Sequence, residues 1–378
     1  MKNPFYISGI IPNEYFCDRD AETQWLVGTL QNHANVLLTS PRRMGKTQLI
    51  RHTYARPTIA DKYYTFYVDI FPTTSLSELV LFLSKEIYNV LVPQGKSALD
   101  RFLAAIKSLY GSFSYNPVSG IPSFDIKMGD IKSPELTLDE IFGYLEKSER
   151  PCIFAIDEFQ QIAHYPERNV EALLRSYIQK MNNCSFIYAG SDRHTLENMF
   201  NSTAKPFYNS AEQMYLGSIP RDKYVDFAIK QFSSYDRDLS FEAACLAYDL
   251  FEGHTYYVHN LLHNTFAYIP TDRTVTTDDI NLILDGILKE KDHVFSSVMN
   301  RLNYQQKETL VAIAQEGNAR AVTSVAFIKK HSLKSPSSVQ YAISYLLDNQ
   351  ILTYENQGRT KVYRLADRFL EKWVCQTY

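Results

Sequence analysis

The segment from Val36 to Gln48 combines residue types and a spacing that suit phosphate binding. An apolar run precedes a short loop that ends in Gly45, Lys46 and Thr47. Backbone N–H groups of such a loop, with the helix N-terminus after it, attract anionic phosphates. Lys46 is expected to reach the β- and γ-phosphates, and the Thr47 hydroxyl to ligate Mg²⁺. The candidate nucleotide-binding residues are Ser40, Pro41, Arg42, Arg43, Met44, Gly45, Lys46, Thr47 and Gln48.

Ser40 departs from the usual phosphate-loop pattern, which carries glycine at this first position. Glycine is preferred where the backbone has positive φ or must approach a ligand closely. Pro41 stiffens the turn after it. The nucleotide interpretation therefore also depends on the elements around the loop and on a second motif downstream.

That second motif is an apolar run from Cys152 to Ile156 that ends in Asp157 and Glu158. Such a run predicts a buried strand, which delivers the two carboxylates to the C-terminal edge of a parallel sheet, where ligands bind. Asp157 is expected to hold Mg²⁺, and Glu158 to activate the attacking water as general base. A strand that merely ends at charged surface residues has the same pattern. Beside a phosphate loop the catalytic interpretation is favoured, because phosphoryl transfer requires both parts.

Two further candidates follow the next apolar run, Ser185 to Ala189. Ser191 is expected to hydrogen-bond the attacking water or the γ-phosphate. Arg193 is a candidate contact to phosphate, in its own subunit or in a neighbouring one as an arginine finger. A solvated surface arginine is the alternative for Arg193.

The elements around these residues alternate between strands and helices, which predicts an α/β fold with a parallel, doubly wound sheet. A helix capped by Asp18 or Asp20 is expected to run to about His33. Residues from about 95 to 134 interrupt the alternation and predict an insertion with a hairpin. The expected strands are Val36–Thr39, Tyr63–Ile70, Cys152–Ile156, Ser185–Ala189 and Gln213–Leu216.

Helical patterns alone fill the chain from Arg221 to Leu302 and predict an all-helical lid. Three helices and a hairpin then predict a C-terminal winged helix-turn-helix. The predicted domains are a P-loop NTPase core over residues 1–219, a lid over 220–301 and a winged helix domain over 302–378. His254, His259 and His263 lie in the lid, where core or surface histidines are favoured over a metal site.

The winged helix carries ten lysines and arginines against six acidic residues, a net charge of +4, whereas the whole chain has −3. The third helix, from Ser337, begins with hydroxyl and amide side chains and has no lysine or arginine, although a DNA-reading helix usually has some. DNA binding and protein binding therefore both remain open for this domain. The candidate phosphate contacts to DNA are Lys329, Lys330, Lys334, Arg359 and Lys361.

The composition is that of an ordinary globular protein, with 45% apolar residues. Five scattered cysteines without a Cys-x-x-Cys pair favour buried thiols in a reducing compartment over a disulfide framework. The first residues lack the apolar run of a signal peptide, and no window is long enough to span a bilayer. A cytoplasmic protein without membrane contact is expected.

Together, the motifs resemble the archaeal-type ATPase family, prokaryotic relatives of the AAA+ and STAND ATPases. Over nearly the whole chain, the resemblance rests on an N-terminal motif, a Walker A, a Walker B, a sensor strand, a lid signature with threonine in place of the usual proline, and a closing winged-helix segment. The corresponding residues are Phe16–Arg19, Pro41–Thr47, Asp157–Gln160, Gly190–Ser191, Gly253–Tyr257 and Tyr363–Asp367 with Trp373.

The resemblance implies ATP and Mg²⁺ as ligands. The expected function is a Mg²⁺-dependent ATPase that acts as a nucleotide-controlled switch on the winged helix, with a homo-oligomer as one form. Two alternatives stay open. In one, the chain is a DNA-binding regulator in which the nucleotide is a structural ligand with negligible turnover. In the other, the winged helix is a module that binds a protein.

Overall fold

The computed structural model of the chain describes residues 2–115, 122–124, 131–270, 272–358 and 360–378. These residues divide into two compact units. One unit runs from Ser8 to Ile219, and the other takes the segment before Ser8 together with Pro220–Tyr378. No helix in the described ranges is both long and apolar enough to cross a membrane.

A parallel sheet with the strand order β2-β5-β6-β1-β7 forms the centre of the first unit. Every residue of β5 and β6 is buried, as expected for strands that are covered on both faces. The prediction of a parallel α/β core is confirmed. The strands of this unit are β1 (Val36–Thr39), β2 (Tyr64–Asp69), β3 (Phe113–Tyr115), β4 (Pro122–Phe124), β5 (Cys152–Asp157), β6 (Cys184–Gly190) and β7 (Glu212–Tyr215).

Helices cover both faces of this sheet. Successive strand residues point to opposite sides, so a continuous apolar run makes both faces apolar and both must be buried. Ile153 packs in one apolar cluster with Leu26 and Leu49, whereas its neighbour Phe154 packs in the other with Leu79. The helices of this unit are α1 (Asp20–Gln31), α2 (Lys46–Tyr54), α3 (Pro57–Ala60), α4 (Leu76–Leu91), α5 (Lys96–Ala105), α6 (Pro134–Glu146), α7 (Val170–Ile178) and α8 (Arg193–Asn201).

The predicted insertion contains α5 and the short antiparallel pair of β3 and β4. The predicted cap of α1 is wrong. Arg19 occupies the N-cap position at φ 70° without a side-chain cap bond, and Asp20 is already the first residue of the helix. The guanidinium of Arg19 instead donates to Glu22 Oε1 at 2.7 Å and to the carbonyl of Gly217.

Four helices follow Pro220 in the second unit, and Ser240 caps one of them by accepting a hydrogen bond from the backbone N–H of Ala243. Phe5 is fully buried against Phe232 and Phe266 of these helices. His259 is buried and lies 2.6 Å from the Tyr224 hydroxyl, so it belongs to the core. The helices are α9 (Arg221–Ser233), α10 (Phe241–Asp249), α11 (Thr255–Tyr268) and α12 (Thr277–Asn300).

The C-terminal part has the helices and hairpin of a winged helix-turn-helix, as predicted. A short strand adds to the hairpin and gives the antiparallel order β8-β10-β9. Arg359, predicted to contact DNA, lies outside the described residues. The elements are α13 (Tyr304–Glu316), β8 (Ala319–Arg320), α14 (Val325–Lys330), α15 (Pro336–Asp348), β9 (Leu352–Gln357), β10 (Thr360–Leu365) and α16 (Arg368–Thr377).

Candidate active site

The loop between β1 and α2 has a backbone geometry that suits anion binding. Gly45, at φ 98°, is the N-cap of α2, and Arg43 also has positive φ, at 65°. Alternating backbone conformations of this kind turn successive N–H groups toward a common anion. Ser40 is buried and is not among the residues with positive φ, so its backbone conformation does not demand glycine. Its hydroxyl donates to the carbonyl of Pro41 at 2.9 Å.

Lys46 lies near the two carboxylates at the end of β5, Asp157 and Glu158. Its side chain is 8% exposed, and Nζ lies 3.9 Å from Asp157 Oδ1 and 3.8 Å from Glu158 Oε1. Both distances exceed a hydrogen bond. The ammonium group is therefore held near the sheet edge by opposite charges, while its hydrogen-bond donors stay available for an anion such as phosphate.

Thr47 and Asp157 come together although they belong to different motifs. The Thr47 hydroxyl donates to Asp157 Oδ2 at 3.1 Å. A hydroxyl and a carboxylate oxygen at this separation are the donor set that Mg²⁺ takes from phosphate-loop proteins. In the described ranges no group of three or more histidine, cysteine or acidic residues forms a metal cluster. The chemistry of this hydroxyl and carboxylate fits a Mg²⁺ ion that takes its remaining ligands from phosphate and water.

Tyr67 of β2 contacts both Thr47 and Asp157, a role that the sequence did not predict. Its hydroxyl donates to Asp157 Oδ2 at 2.5 Å and lies 3.1 Å from Thr47 Oγ1. Burial, reinforced by the Asp157 carboxylate, raises the pKa of Tyr67 above its ordinary value, which keeps the hydroxyl protonated. The only sequence signal is a tyrosine two positions before the strand ends, and its meaning depends on β2 lying beside β5.

Asp69 adds another carboxylate to the same edge, because it is paired with Asp157 in the register of β2 and β5. Burial raises the pKa of Asp69, and the neighbouring charges of Asp157 and Glu158 raise it further. Negative charge is thus concentrated at this edge. A bound divalent cation would relieve this repulsion.

Glu158 is held in place by its backbone and by its neighbours. It has left-handed geometry, with φ 56°, which is uncommon for a residue with a long side chain. Ser191 Oγ donates to Glu158 Oε2 at 2.9 Å, and the amide of Gln160 donates to the same oxygen. Ser191 therefore lies beside the candidate general base. This is expected because β5 and β6 are adjacent parallel strands, so the residues that follow them lie at the same edge of the sheet.

The two arginine candidates, Arg42 and Arg193, make different contacts. Arg42 Nε donates to Ser191 Oγ at 3.4 Å. Arg193 instead pairs with Glu197 on its own helix at 2.6 Å, and its guanidinium lies 4.7 Å from the Tyr215 ring.

Three other residues of the loop segment contribute packing and anchoring. Met44 is buried, whereas Pro41 is partly exposed. The Gln48 amide donates to the carbonyl of Gly9 at 2.7 Å and accepts from the N–H of Ile11 at 3.2 Å. Gln48 therefore anchors the N-terminal segment to α2.

Two family models match the chain. The model described as an ATPase domain predominantly from Archaea matches residues 16–261, which is more than half of the chain and includes every candidate residue of the nucleotide site. The chain belongs to this ATPase family. A second model, described as a probable winged helix domain, matches residues 293–376. Comparison with curated proteins gives no match.

Solved structures of similar fold include two archaeal proteins. A Walker-type ATPase of Pyrococcus abyssi has a TM-score of 0.66 at 18% identity, with 98% of this chain and 99% of that chain covered. The ORC2 protein of Aeropyrum pernix, in ADPNP-ADP complexes, has a TM-score of 0.54 at 17% identity, with 99% and 97% covered. At these identities the comparison establishes that this chain shares their fold.

Proposed function

We propose that this chain binds ATP with Mg²⁺ and hydrolyses it at the edge of the sheet where β1 and β5 end. The observation that carries the proposal is the position of Lys46, whose Nζ lies within 4 Å of both Asp157 and Glu158. Phosphoryl transfer requires a phosphate-binding lysine, a metal ligand and a group that orients water. Membership in the ATPase family supports the same activity, and the ADPNP-ADP complexes of the ORC2 protein support nucleotide binding.

Each residue has a role that follows from its position. Lys46 and the loop N–H groups would bind the β- and γ-phosphates, and Thr47 with Asp157 would hold Mg²⁺. When bound, Mg²⁺ supplies positive charge that offsets the charge developing on the phosphate oxygens. Glu158 would accept a proton from the attacking water. Ser191 would orient that carboxylate or the water itself.

Two arginines are candidates for stabilising charge on the γ-phosphate. Arg42 contacts Ser191 in the same chain. Arg193 would have to leave Glu197 to do so, or act on the site of a neighbouring subunit in a homo-oligomer. The cytoplasm, where ATP is available and the cysteines would stay reduced, is the proposed location.

We further propose that the nucleotide acts as a switch for the winged helix. DNA is the first candidate partner because the C-terminal part carries a net charge of +4. Lys330 is engaged with Glu316, and Lys361 lies 4.3 Å from the Tyr354 ring. For Lys329 and Lys334, no ion pair is seen among the described residues. A protein partner, or a DNA-binding regulator with a structural nucleotide, is the alternative.

The proposal is tested by measuring phosphate release from ATP by the purified chain, with Mg²⁺ and with EDTA. Release that requires Mg²⁺ is the expected result. ATP binding without release above background, with or without DNA, would support the structural-nucleotide alternative.

A further inference from the structure

Gln160 is a buried polar residue whose amide is only half satisfied. It lies three positions after Asp157 and two after Glu158, and it is 7% exposed. Nε2 donates to Glu158 Oε2, whereas Oε1 is buried without a hydrogen-bond partner. Turning the amide over would place its oxygen against the carboxylate. The unpartnered Oε1 is therefore the consequence of the bond to Glu158.

Gly190 makes room for this amide. A Cβ atom at Gly190 would lie 2.1 Å from Gln160 Oε1, closer than any real contact allows. The next residue, Ser191, donates to the same carboxylate oxygen at 2.9 Å. The Glu158 side chain is thus held from two sides, by an amide that is packed against Gly190 and by a hydroxyl on the residue after it.

We infer that Gln160 is a positioning residue that fixes the Glu158 carboxylate for its proton-accepting role. The inference rests on the proposed ATPase function. Among the described residues, the Gln160 amide donates to Glu158 and makes no hydrogen bond to a residue assigned to phosphate or Mg²⁺, so we assign its effect to Glu158. A buried acceptor without a partner costs free energy, and an apolar side chain of similar size would avoid that cost. Glutamine at this position therefore lowers the stability of the fold but orients the Glu158 carboxylate.

The test compares Gln160→Leu and Gln160→Met with Gln161→Leu. Gln161 is the matched control because it makes the same kind of bond elsewhere, from its amide to the Thr73 carbonyl at 2.9 Å. In the Gln160 variants we expect kcat to fall about tenfold, because small errors in orientation are costly in catalysis. Affinity for ATP should stay within about twofold, since removal of this amide leaves the phosphate-binding groups intact. Melting temperature should stay unchanged or rise.

A double variant separates positioning from packing. In a Glu158→Gln background, Gln160→Leu should cause no further loss of turnover, because the group that it positions is already gone. Additive losses would overturn the inference. So would a lowered melting temperature with unchanged kcat in both Gln160 variants, since that result describes a packing residue.

Failure of the inference can be told from failure of the proposed function. Unchanged turnover in the Gln160 variants, with an active wild type, rejects the inference alone. A wild type that binds ATP but shows no turnover rejects the proposed hydrolysis, and the inference with it.

Discussion

The Thr47 hydroxyl donates a hydrogen bond to the Asp157 carboxylate at 3.1 Å, across 110 positions of sequence. The bond connects the start of α2, the helix that follows β1, to the end of β5. In the sheet, β6 lies between β1 and β5. It places a hydroxyl and a carboxylate where one metal ion can contact both. Lys46, beside them, supplies the positive charge for phosphate.

Removing the Lys46 ammonium should abolish ATP binding. Lys46→Ala deletes the charge that faces the phosphates, and charge-assisted bonds to phosphate are among the strongest that a side chain makes. Isothermal titration calorimetry with ATP and Mg²⁺ should show no measurable heat of binding. Lys85→Ala, at an exposed position of α4, is the control and should bind as the wild type does. Unchanged affinity in Lys46→Ala would rule out this loop as the phosphate site.

Tyr67→Phe should weaken Mg²⁺ binding in the ATP complex by about tenfold, as removal of groups that orient metal ligands commonly does. The change deletes the bond to Asp157 and leaves the ring in place. The measurement is the Mg²⁺ concentration needed for half-maximal ATP binding. Tyr54→Phe is a matched control, because its hydroxyl donates to the Phe66 carbonyl, and no site residue accepts from it. Tighter Mg²⁺ binding in Tyr67→Phe would show that the hydroxyl obstructs the site.

The second unit should lose stability in mild acid through His259. Burial, with a smaller contribution from His263, lowers the pKa of His259 to about 4 from an ordinary 6.5. The unfolded chain therefore takes up a proton below pH 6.5, whereas the folded chain resists until about pH 4. Stability falls across that window, by about 2 kcal/mol between pH 7 and pH 5.

Denaturant unfolding at both pH values measures this effect. His259→Phe should remove about 2 kcal/mol of the acid-induced loss. His164→Phe, at an exposed position, should retain the whole loss. An equal loss in wild type and His259→Phe would assign the acid sensitivity to other groups.

The winged helix should bind DNA weakly and with strong dependence on salt. Each phosphate contact contributes a slope of about −0.9 in log affinity against log salt. Arg359→Ala with Lys361→Ala should weaken binding to all sequences alike and reduce the slope by up to about two. Fluorescence anisotropy of labelled DNA over a salt series, with and without ATP, measures the affinity and its slope.

Lys223→Ala with Lys230→Ala, two exposed positions of α9, is the control for a general loss of charge. No binding by the wild type at low salt in any nucleotide state would favour a protein partner. Salt-resistant, sequence-selective binding would show that the helix from Pro336 reads bases.

Most of the core could be predicted from sequence because its signals are local. The runs that became β1, β5 and β6 are short and apolar, and polar residues mark their ends. Adjacency in a parallel sheet then explains why Ser191 meets Glu158. The α1 cap was predicted wrongly because aspartate near a helix start is only a tendency, and here the left-handed backbone at Arg19 decides where the helix begins.

Tyr67 and Gln160 could not be given their roles from sequence. The position of Tyr67 has meaning only because β2 pairs with β5, and strand order is a property of the whole chain. Gln160 was part of the recognised acidic motif, yet its contact depends on a glycine on the next strand. Such contacts depend on tertiary packing, which no local pattern specifies.

Replacing Glu158 by glutamine tests the central claim most directly. Glu158→Gln keeps the shape of the side chain and removes its ability to accept a proton. ATP binding, measured by calorimetry, and turnover, measured by phosphate release, should separate in this variant. We predict ATP affinity close to that of the wild type and turnover reduced by roughly a hundredfold or more. An active wild type together with an equally active Glu158→Gln variant would contradict the assignment of Glu158 as the base.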